Sequence, residues 1–209
     1  MTSRWEQHGP RYGLDWGGRR WWLAVDGPRP GLVADDPEAG PLLALDGLTA
    51  PGRSDFDAFG GASLVEYRLH FDRVEATYIP PGWGSLKVRA AWSARSEGDV
   101  DLEVQVQAYT VDELKAIEVH VSSRPGPSET SPTYIELIHP DDVSHAAGPH
   151  VRDHDWPGSV RHALFGYDLE KGIILRGRLR GTWLPAPPDE AEIDRRRRAF
   201  LREPLPLGT

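Results

Sequence analysis

Residues 100–108 alternate strictly between apolar and polar side chains, and this pattern constrains the fold more than any other in the chain. Val, Leu and Ala side chains fall on one face of the segment, and Asp, Glu and Gln fall on the other. Successive side chains of a β-strand point to opposite faces, so a period of two predicts a strand with one buried face. Similar alternation begins at Leu64 and recurs over residues 86–92. The sequence therefore predicts an all-β fold, an antiparallel β-sandwich of which the supersandwich is one variant.

One C-terminal segment departs from this pattern. Residues 189–202 follow two prolines, begin with acidic side chains and end with arginines, which matches the polarity of a helix dipole. We predict a short C-terminal helix there. The length of 209 residues suits one large domain. We divide it into an irregular N-terminal hairpin and loop (1–61), core strands (62–184), and a C-terminal helix and tail (185–209).

Composition excludes several classes of function. The chain has no cysteine, which excludes disulfides and cysteine-ligated zinc. A net charge of −8 opposes binding to nucleic acid, and no apolar stretch is long enough for a membrane span or a signal peptide. Phosphate-binding loops, dinucleotide-binding glycine patterns and nucleophile elbows are absent from the sequence. We therefore expect a cytoplasmic protein with no cofactor, no nucleic-acid partner and no membrane partner.

The polar faces of the predicted strands carry long side chains that form directional hydrogen bonds. Such groups, combined with aromatic platforms, bind the hydroxyls and the apolar faces of sugars. Trp83, Trp92 and Trp183 are candidate platforms. The alternative is an ordinary solvated face on which charges compensate one another across strands. The predicted ligand-binding residues are Arg68, Arg89, Glu103, Gln105, Arg176 and Arg178.

Two histidines and two glutamates on predicted strands are candidates for acid–base chemistry. Histidine titrates near neutral pH, and a neighbouring carboxylate completes an acid–base pair. We predict His120 or His70 as the acid and Glu118 or Glu136 as the base, with His70 placed near Arg89. The alternative is that these are ordinary strand residues.

Residues 139–162 contain five of the eight histidines, interleaved with aspartates. Imidazole and carboxylate ligands together suit zinc, manganese or iron. No helical metal-binding spacing is present, because Gly148 and Pro149 interrupt the segment, so a polar surface loop is favoured over a metal site. If the segment binds a metal, the predicted ligands are His145, His150, His154 and Asp153.

The strand pattern of residues 64–121 resembles that of the galactose-mutarotase-like supersandwich family. It contains a strand, a turn, a second strand, an acidic turn and a further strand. The resemblance implies a curved sheet whose concave face holds a sugar. In epimerases of that family a histidine protonates the ring oxygen and a carboxylate acts as the base.

These observations lead to three hypotheses of function. The first is binding of a carbohydrate-like or other polyhydroxy small molecule on a polar, concave sheet face, either by itself or together with epimerase-like or other carbohydrate-active chemistry. The second is a non-catalytic interaction or structural module, in which the aromatic N-terminus (Trp5, Trp16, Trp21, Trp22) and the C-terminal helix either cover sheet edges or build a homodimer. The third is a metal-dependent enzyme that uses residues 139–162.

Overall fold

A computed structural model describes most of the chain and confirms an all-β, antiparallel fold with a short C-terminal helix. The described residues are 5–9, 11–35, 39–70, 72–84, 86–96, 98–109, 114–125, 133–143, 151–152 and 159–203. The strands, numbered in chain order, are β1 (Glu6–His8), β2 (Arg11–Trp16), β3 (Arg19–Ala24), β4 (Gly31–Ala34), β5 (Ala44–Ala50), β6 (Arg53–Asp55), β7 (Leu64–Leu69), β8 (Arg73–Tyr78), β9 (Leu86–Ser96), β10 (Asp99–Ala108), β11 (Leu114–Ser123), β12 (Thr133–Ile138), β13 (Val151–Arg152), β14 (Val160–Leu169) and β15 (Ile174–Leu184). Helix α1 spans Glu190–Arg202, and two 3-10 turns lie at Gly61–Ser63 and Pro140–Asp142.

The strands form three antiparallel sheets. The N-terminal sheet has the order β1-β2-β3-β4, and the large sheet has the order β12-β15-β10-β9-β8-β7. The opposing sheet has the order β13-β14-β11-β5-β6. In the segment 1–61, for which the sequence predicts an irregular hairpin and loop, the structure has the short strands β1 to β6. Their shortness and the many glycines and prolines between them conceal the strand period in the sequence. The assignment of the whole chain to one domain stays a prediction.

Apolar side chains from all three sheets meet in a common core. Trp92 of the large sheet lies in that core, and its indole nitrogen donates to the Leu43 carbonyl, 2.9 Å away. Trp16 and Trp21 of the N-terminal sheet lie against Trp183 of the large sheet, with ring centroids 6.2 Å and 6.1 Å apart. The inner faces of the N-terminal and opposing sheets therefore both pack on the large sheet, and the outer faces of the large and opposing sheets point away from each other.

Helix α1 begins where the sequence predicts it. The Asp189 side chain caps the helix by accepting the backbone N–H of Glu192 at 2.8 Å. Phe200, in the last turn, is fully buried and places its ring 4.3 Å from the Arg178 guanidinium carbon. The helix therefore lies on the outer face of the large sheet. No helix in the described part of the chain is both long enough and apolar enough to cross a membrane.

The turn between β2 and β3 requires two glycines for different reasons. Gly17 and Gly18 both have positive φ angles, 61° and 75°, as a two-residue hairpin turn needs. A Cβ atom on Gly17 would lie 2.3 Å from the Trp183 ring, whereas one on Gly18 would meet nothing within 4 Å. Only Gly17 therefore combines a backbone requirement with close packing against the core.

Exchange of Gly17 for alanine is expected to lower the free energy of unfolding by about 2–3 kcal/mol, the sum of a left-handed backbone cost and overpacking against Trp183. Gly18→Ala, the matched control, should cost only about 1 kcal/mol because it adds no contact. Urea unfolding of both variants measures the difference. Equal losses would show that the contact between Gly17 and Trp183 does not restrict this position.

Candidate functional site

The predicted site residues fall on two outer faces and in the interior. The ligand-binding candidates of β7, β9, β10 and β15 share the outer face of the large sheet. His120 and Glu118 lie on the outer face of the opposing sheet, and Glu136 points into the interior. The sequence predicts one shared polar face, but the sandwich separates His120 from the arginines of the large sheet.

At one end of the large sheet the charged side chains compensate one another. Glu75 lies 2.6 Å from Arg73, 3.5 Å from Arg89 and 3.8 Å from His70. His70 thus approaches Glu75 rather than the predicted Arg89. Arg68 pairs with Glu66 at 3.1 Å.

The depression at this end, lined in part by Arg68 and Arg89, has a volume of only about 30 Å³. That volume suits a bound water rather than a sugar ring. These described residues therefore resemble the charge-compensated, solvated face that the sequence left open as an alternative.

At the other end of the large sheet the chain's own helix covers the face. Arg178 is 1% exposed and donates to the Phe200 carbonyl at 2.8 Å. Arg180 forms a two-pronged pair with Asp101, at 2.6 and 2.9 Å, and a second with Glu203, at 2.8 and 2.7 Å. The arginine predicted to contact a ligand, Arg178, thus contacts helix α1. Arg176, two residues before Arg178 on β15 and opposite Gln105 of β10, is half-buried.

Between these two ends lies Glu103, which is 2% exposed. Neither of its carboxylate oxygens has a hydrogen-bond partner among the described residues, and the Arg95 guanidinium lies 3.7 Å away. Burial raises the pKa of Glu103 to about 7, although Arg95 acts in the opposite direction. Gln105, two residues along the same strand face, is 7% exposed. Two of the predicted ligand contacts are therefore largely removed from solvent.

Glu136 belongs to an internal polar network that the sequence did not reveal. Its carboxylate lies 2.7 Å from His162 and accepts hydrogen bonds from the hydroxyls of Tyr134, at 2.7 Å, and Ser123. Burial acts to raise the pKa of Glu136, but the hydrogen bonds from His162, Ser123 and Tyr134 outweigh it and the pKa is lowered. Glu136 thus links the large sheet to the opposing sheet, and its histidine neighbour is His162 rather than His120.

On the outer face of the opposing sheet, His120 and Glu118 lie side by side on β11 and share one partner on β5. The Thr49 hydroxyl donates to Glu118 Oε2 at 2.9 Å and lies 2.8 Å from His120 Nε2. Because that hydroxyl has a single proton, His120 Nε2 must donate to it. The two ionisable side chains are themselves 3.7 Å apart, with 12% and 16% of their surfaces exposed. The three residues form a hydrogen-bonded acid–base unit that solvent can reach.

An ion triad lies beside this unit. The pairing of β5 with β11 shifts register between His120 and Val121, so Asp46 is the extra residue of a β-bulge. The Asp46 carboxylate is fully buried and lies 2.9 Å from Arg29 and 2.7 Å from Arg161. Burial of this charge is compensated by two guanidinium groups, which are thereby fixed on the same face.

An exposed aromatic ring borders the same residues. The Phe56 ring lies 5.5 Å from the His120 ring and 5.2 Å from the Arg161 guanidinium carbon, and Phe56 is 41% exposed. A Cβ atom on Gly47 would lie 2.7 Å from the Phe56 ring, so the glycine permits this close approach. We call the group of Asp46, Thr49, Phe56, Glu118, His120 and Arg161 the His120 cluster.

The protonation of His120 follows from its surroundings. Burial lowers the pKa of His120 below its ordinary value of 6.5, Arg161 acts in the same direction, and Glu118 and Asp46 oppose them. The ring is therefore neutral at neutral pH. Its recorded hydrogen bond uses Nε2, so within the described part of the chain Nδ1 is the nitrogen left for a ligand.

The three tryptophans predicted as aromatic platforms are not exposed to a ligand. Trp83, Trp92 and Trp183 are 2%, 0% and 8% exposed, because all three point into the core. His145, His150, His154 and Asp153 lie outside the described residues, and a metal site there stays a prediction. Among the residues that are described, no three His, Asp or Glu side chains are grouped to hold a metal ion.

Comparisons with known proteins give little further information. No protein-family model and no curated protein matches the sequence. Among solved structures, a mutant of a heparan sulfate lyase from Pedobacter heparinus is similar, with a TM-score of 0.37 and 9% sequence identity. The match covers 86% of this chain and 31% of that protein, so the chain spans about a third of the lyase. The likeness is only to another β-rich protein, and membership of the galactose-mutarotase-like family is not shown.

Proposed function

We propose that the protein binds a neutral, carbohydrate-like ligand at the His120 cluster, with His120 and Glu118 as its acid–base pair. The observation that carries this proposal is the Thr49 hydroxyl, which joins an imidazole and a carboxylate within 2.8 and 2.9 Å on a solvent-accessible sheet face. An imidazole and a carboxylate held this close together suit a ligand whose groups both donate and accept hydrogen bonds, as hydroxyls do.

The charge balance of the cluster favours a neutral ligand. Arg161 and the adjacent Arg29 both pair with Asp46, so two positive charges stand against the two negative charges of Asp46 and Glu118, and His120 is neutral at neutral pH. A compensated group of charges attracts neither anions nor cations strongly. It still offers guanidinium donors and a carboxylate acceptor in fixed positions, which supports recognition of hydroxyl groups by directional hydrogen bonds.

Phe56 supplies the apolar element that binding of a sugar ring requires. Its ring is exposed and lies beside both His120 and Arg161. The C–H face of a pyranose packs against an aromatic ring while its hydroxyls reach neighbouring polar groups. The combination of one exposed ring with fixed donors and acceptors is the composition of a small-molecule site.

The reaction that this pair supports is the interconversion of sugar anomers. Glu118 accepts the proton of the anomeric hydroxyl while protonated His120 gives a proton to the ring oxygen. The bond between the anomeric carbon and the ring oxygen then breaks as the carbonyl forms, and reclosure returns both protons. Because burial lowers the pKa of His120, the supply of protonated His120 falls as pH rises through that lowered value, and the rate is expected to fall with it.

Titration calorimetry against a panel of neutral aldoses tests the binding. Phe56→Ala is expected to weaken binding about tenfold, since stacking on an aromatic ring contributes about 1–1.5 kcal/mol. Thr49→Val should weaken binding as well and should remove the anomer interconversion, which proton NMR follows directly. Arg89→Ala, on the exposed face of the large sheet, is the matched control and should bind as the wild type does.

Two outcomes contradict the proposal. One is that no aldose gives saturable binding to the wild-type protein at millimolar concentration. The other is that Arg89→Ala loses binding while Phe56→Ala retains it, which would move the ligand to the large sheet. Binding without any anomer interconversion would keep the site but remove the acid–base role.

A further inference from the structure

A cleft lies on the outer face of the N-terminal sheet, away from the His120 cluster. It has a volume of about 390 Å³, which is within the range of small-molecule sites. Its described lining consists of Arg11, Trp22, Leu23, Ala24, Asp26, Val33, Ala34 and Asp35. The cleft therefore combines one indole ring, small apolar side chains and three charged groups.

Trp22 differs from every other tryptophan that the structure describes. The six others, Trp5, Trp16, Trp21, Trp83, Trp92 and Trp183, are buried in the core. Trp22 is only half-buried because β3 turns it outward between Gly13 and Val33 of the flanking strands. A large apolar ring that faces solvent in a cleft is typical of a ligand platform.

The indole is held in place before any ligand arrives. Its nitrogen donates to Asp35 Oδ1 at 2.8 Å, and the Arg20 guanidinium carbon lies 5.0 Å from the ring centroid. Arg20 is itself fixed by Glu6 at 2.7 Å and by Asp15 at 3.0 Å. Because these contacts already fix the ring, little conformational entropy is lost when a ligand binds in the cleft.

We propose that this cleft is a second binding site, for a neutral polyhydroxy ring that stacks on Trp22. The indole packs against the C–H face of the ring. Asp26 and the second oxygen of Asp35 accept hydroxyl protons, and Arg11 donates to a hydroxyl oxygen. The positive charge of Arg11 in the lining disfavours an organic cation, the other ligand that an aromatic ring and carboxylates attract.

The proposal does not depend on the His120 cluster, which lies on a different sheet. The indole N–H signal of Trp22 in a nitrogen-15 NMR spectrum, assigned from Trp22→Phe, reports on this cleft alone. Titration with neutral hexoses and disaccharides is expected to shift this signal saturably in the wild type. His120→Ala should show the same shift, so that failure at one site does not imply failure at the other.

Two variants measure the contribution of the cleft. Trp22→Ala is expected to lose the binding event, and Asp26→Ala, a change at an exposed residue of the lining, should weaken it about tenfold. The proposal is overturned if no sugar shifts the Trp22 signal, or if Asp26→Ala binds as tightly as the wild type. It is also overturned if only tetramethylammonium shifts the signal, which would identify a cation site.

Discussion

Replacement of Arg180 by methionine is expected to lower the free energy of unfolding by about 3–5 kcal/mol, because it leaves a buried charge without its main partner. Asp101 is fully buried and receives two hydrogen bonds from Arg180, at 2.6 and 2.9 Å. Among the described residues, Arg95, 3.1 Å from Asp101, remains as an ion-pair partner in the variant. Glu203 also loses its two hydrogen bonds from Arg180, but Arg178 remains 3.9 Å away, and Glu203 is 40% exposed and can be hydrated. The loss therefore arises mainly at Asp101.

Urea unfolding of Arg180→Met measures this loss, and Arg89→Met is the matched control. Arg89 pairs with Glu75 at 3.5 Å on an exposed surface, where an ion pair contributes at most about 1 kcal/mol. Adding Asp101→Asn to Arg180→Met should restore much of the stability, since it removes the uncompensated charge. Similar small losses in both single variants would show that the Arg180 pair does not stabilise the protein.

Replacement of Glu103 by glutamine is expected to remove a pH-dependent loss of stability. In the unfolded chain this carboxyl loses its proton near its ordinary pKa of 4.5, whereas in the folded protein its pKa is about 7. Between these values the folded state binds more protons than the unfolded state, so stability falls as pH rises. The difference of about 2.5 pH units corresponds to about 3 kcal/mol, fully present above pH 7.

Unfolding measured from pH 4 to pH 8 tests this expectation. The free energy of unfolding of Glu103→Gln should differ little from that of the wild type at pH 4. It should exceed the wild-type value by about 3 kcal/mol at pH 8. Glu170→Gln, at an exposed position, is the control and should run parallel to the wild type. A constant difference between Glu103→Gln and the wild type at every pH would show that Glu103 ionises in the folded protein as it does in the unfolded chain.

The regular strands and the helix were predictable from local patterns. The alternation in residues 100–108 predicts which side chains of β10 face the core, and the structure confirms that Val104 and Val106 are buried. The acidic start and basic end of α1 predicted the helix. The strands of residues 1–61 were not all predicted, because segments such as β4 and β6, of four and three residues, are too short to display a period.

The candidate site was predictable only in part. Glu118 and His120 are two residues apart on one strand, so their shared face follows from the strand period. Their common partner Thr49 lies 69 and 71 residues away in the chain, and no local pattern indicates that contact. Glu136 shows the same limit, because its partner His162 is 26 residues away on another sheet.

The sequence by itself determined the antiparallel β class, the inward and outward faces of the regular strands, and the position of the C-terminal helix, because each depends on side-chain period and terminal charge within a short segment. Only the tertiary structure decided which polar residues meet. Strand order and register placed Thr49 beside His120, a β-bulge placed Asp46 between two arginines, and packing of α1 covered Arg178. These contacts depend on how distant strands pair, and a hydrophobic period specifies that a strand is buried on one face without specifying its neighbour.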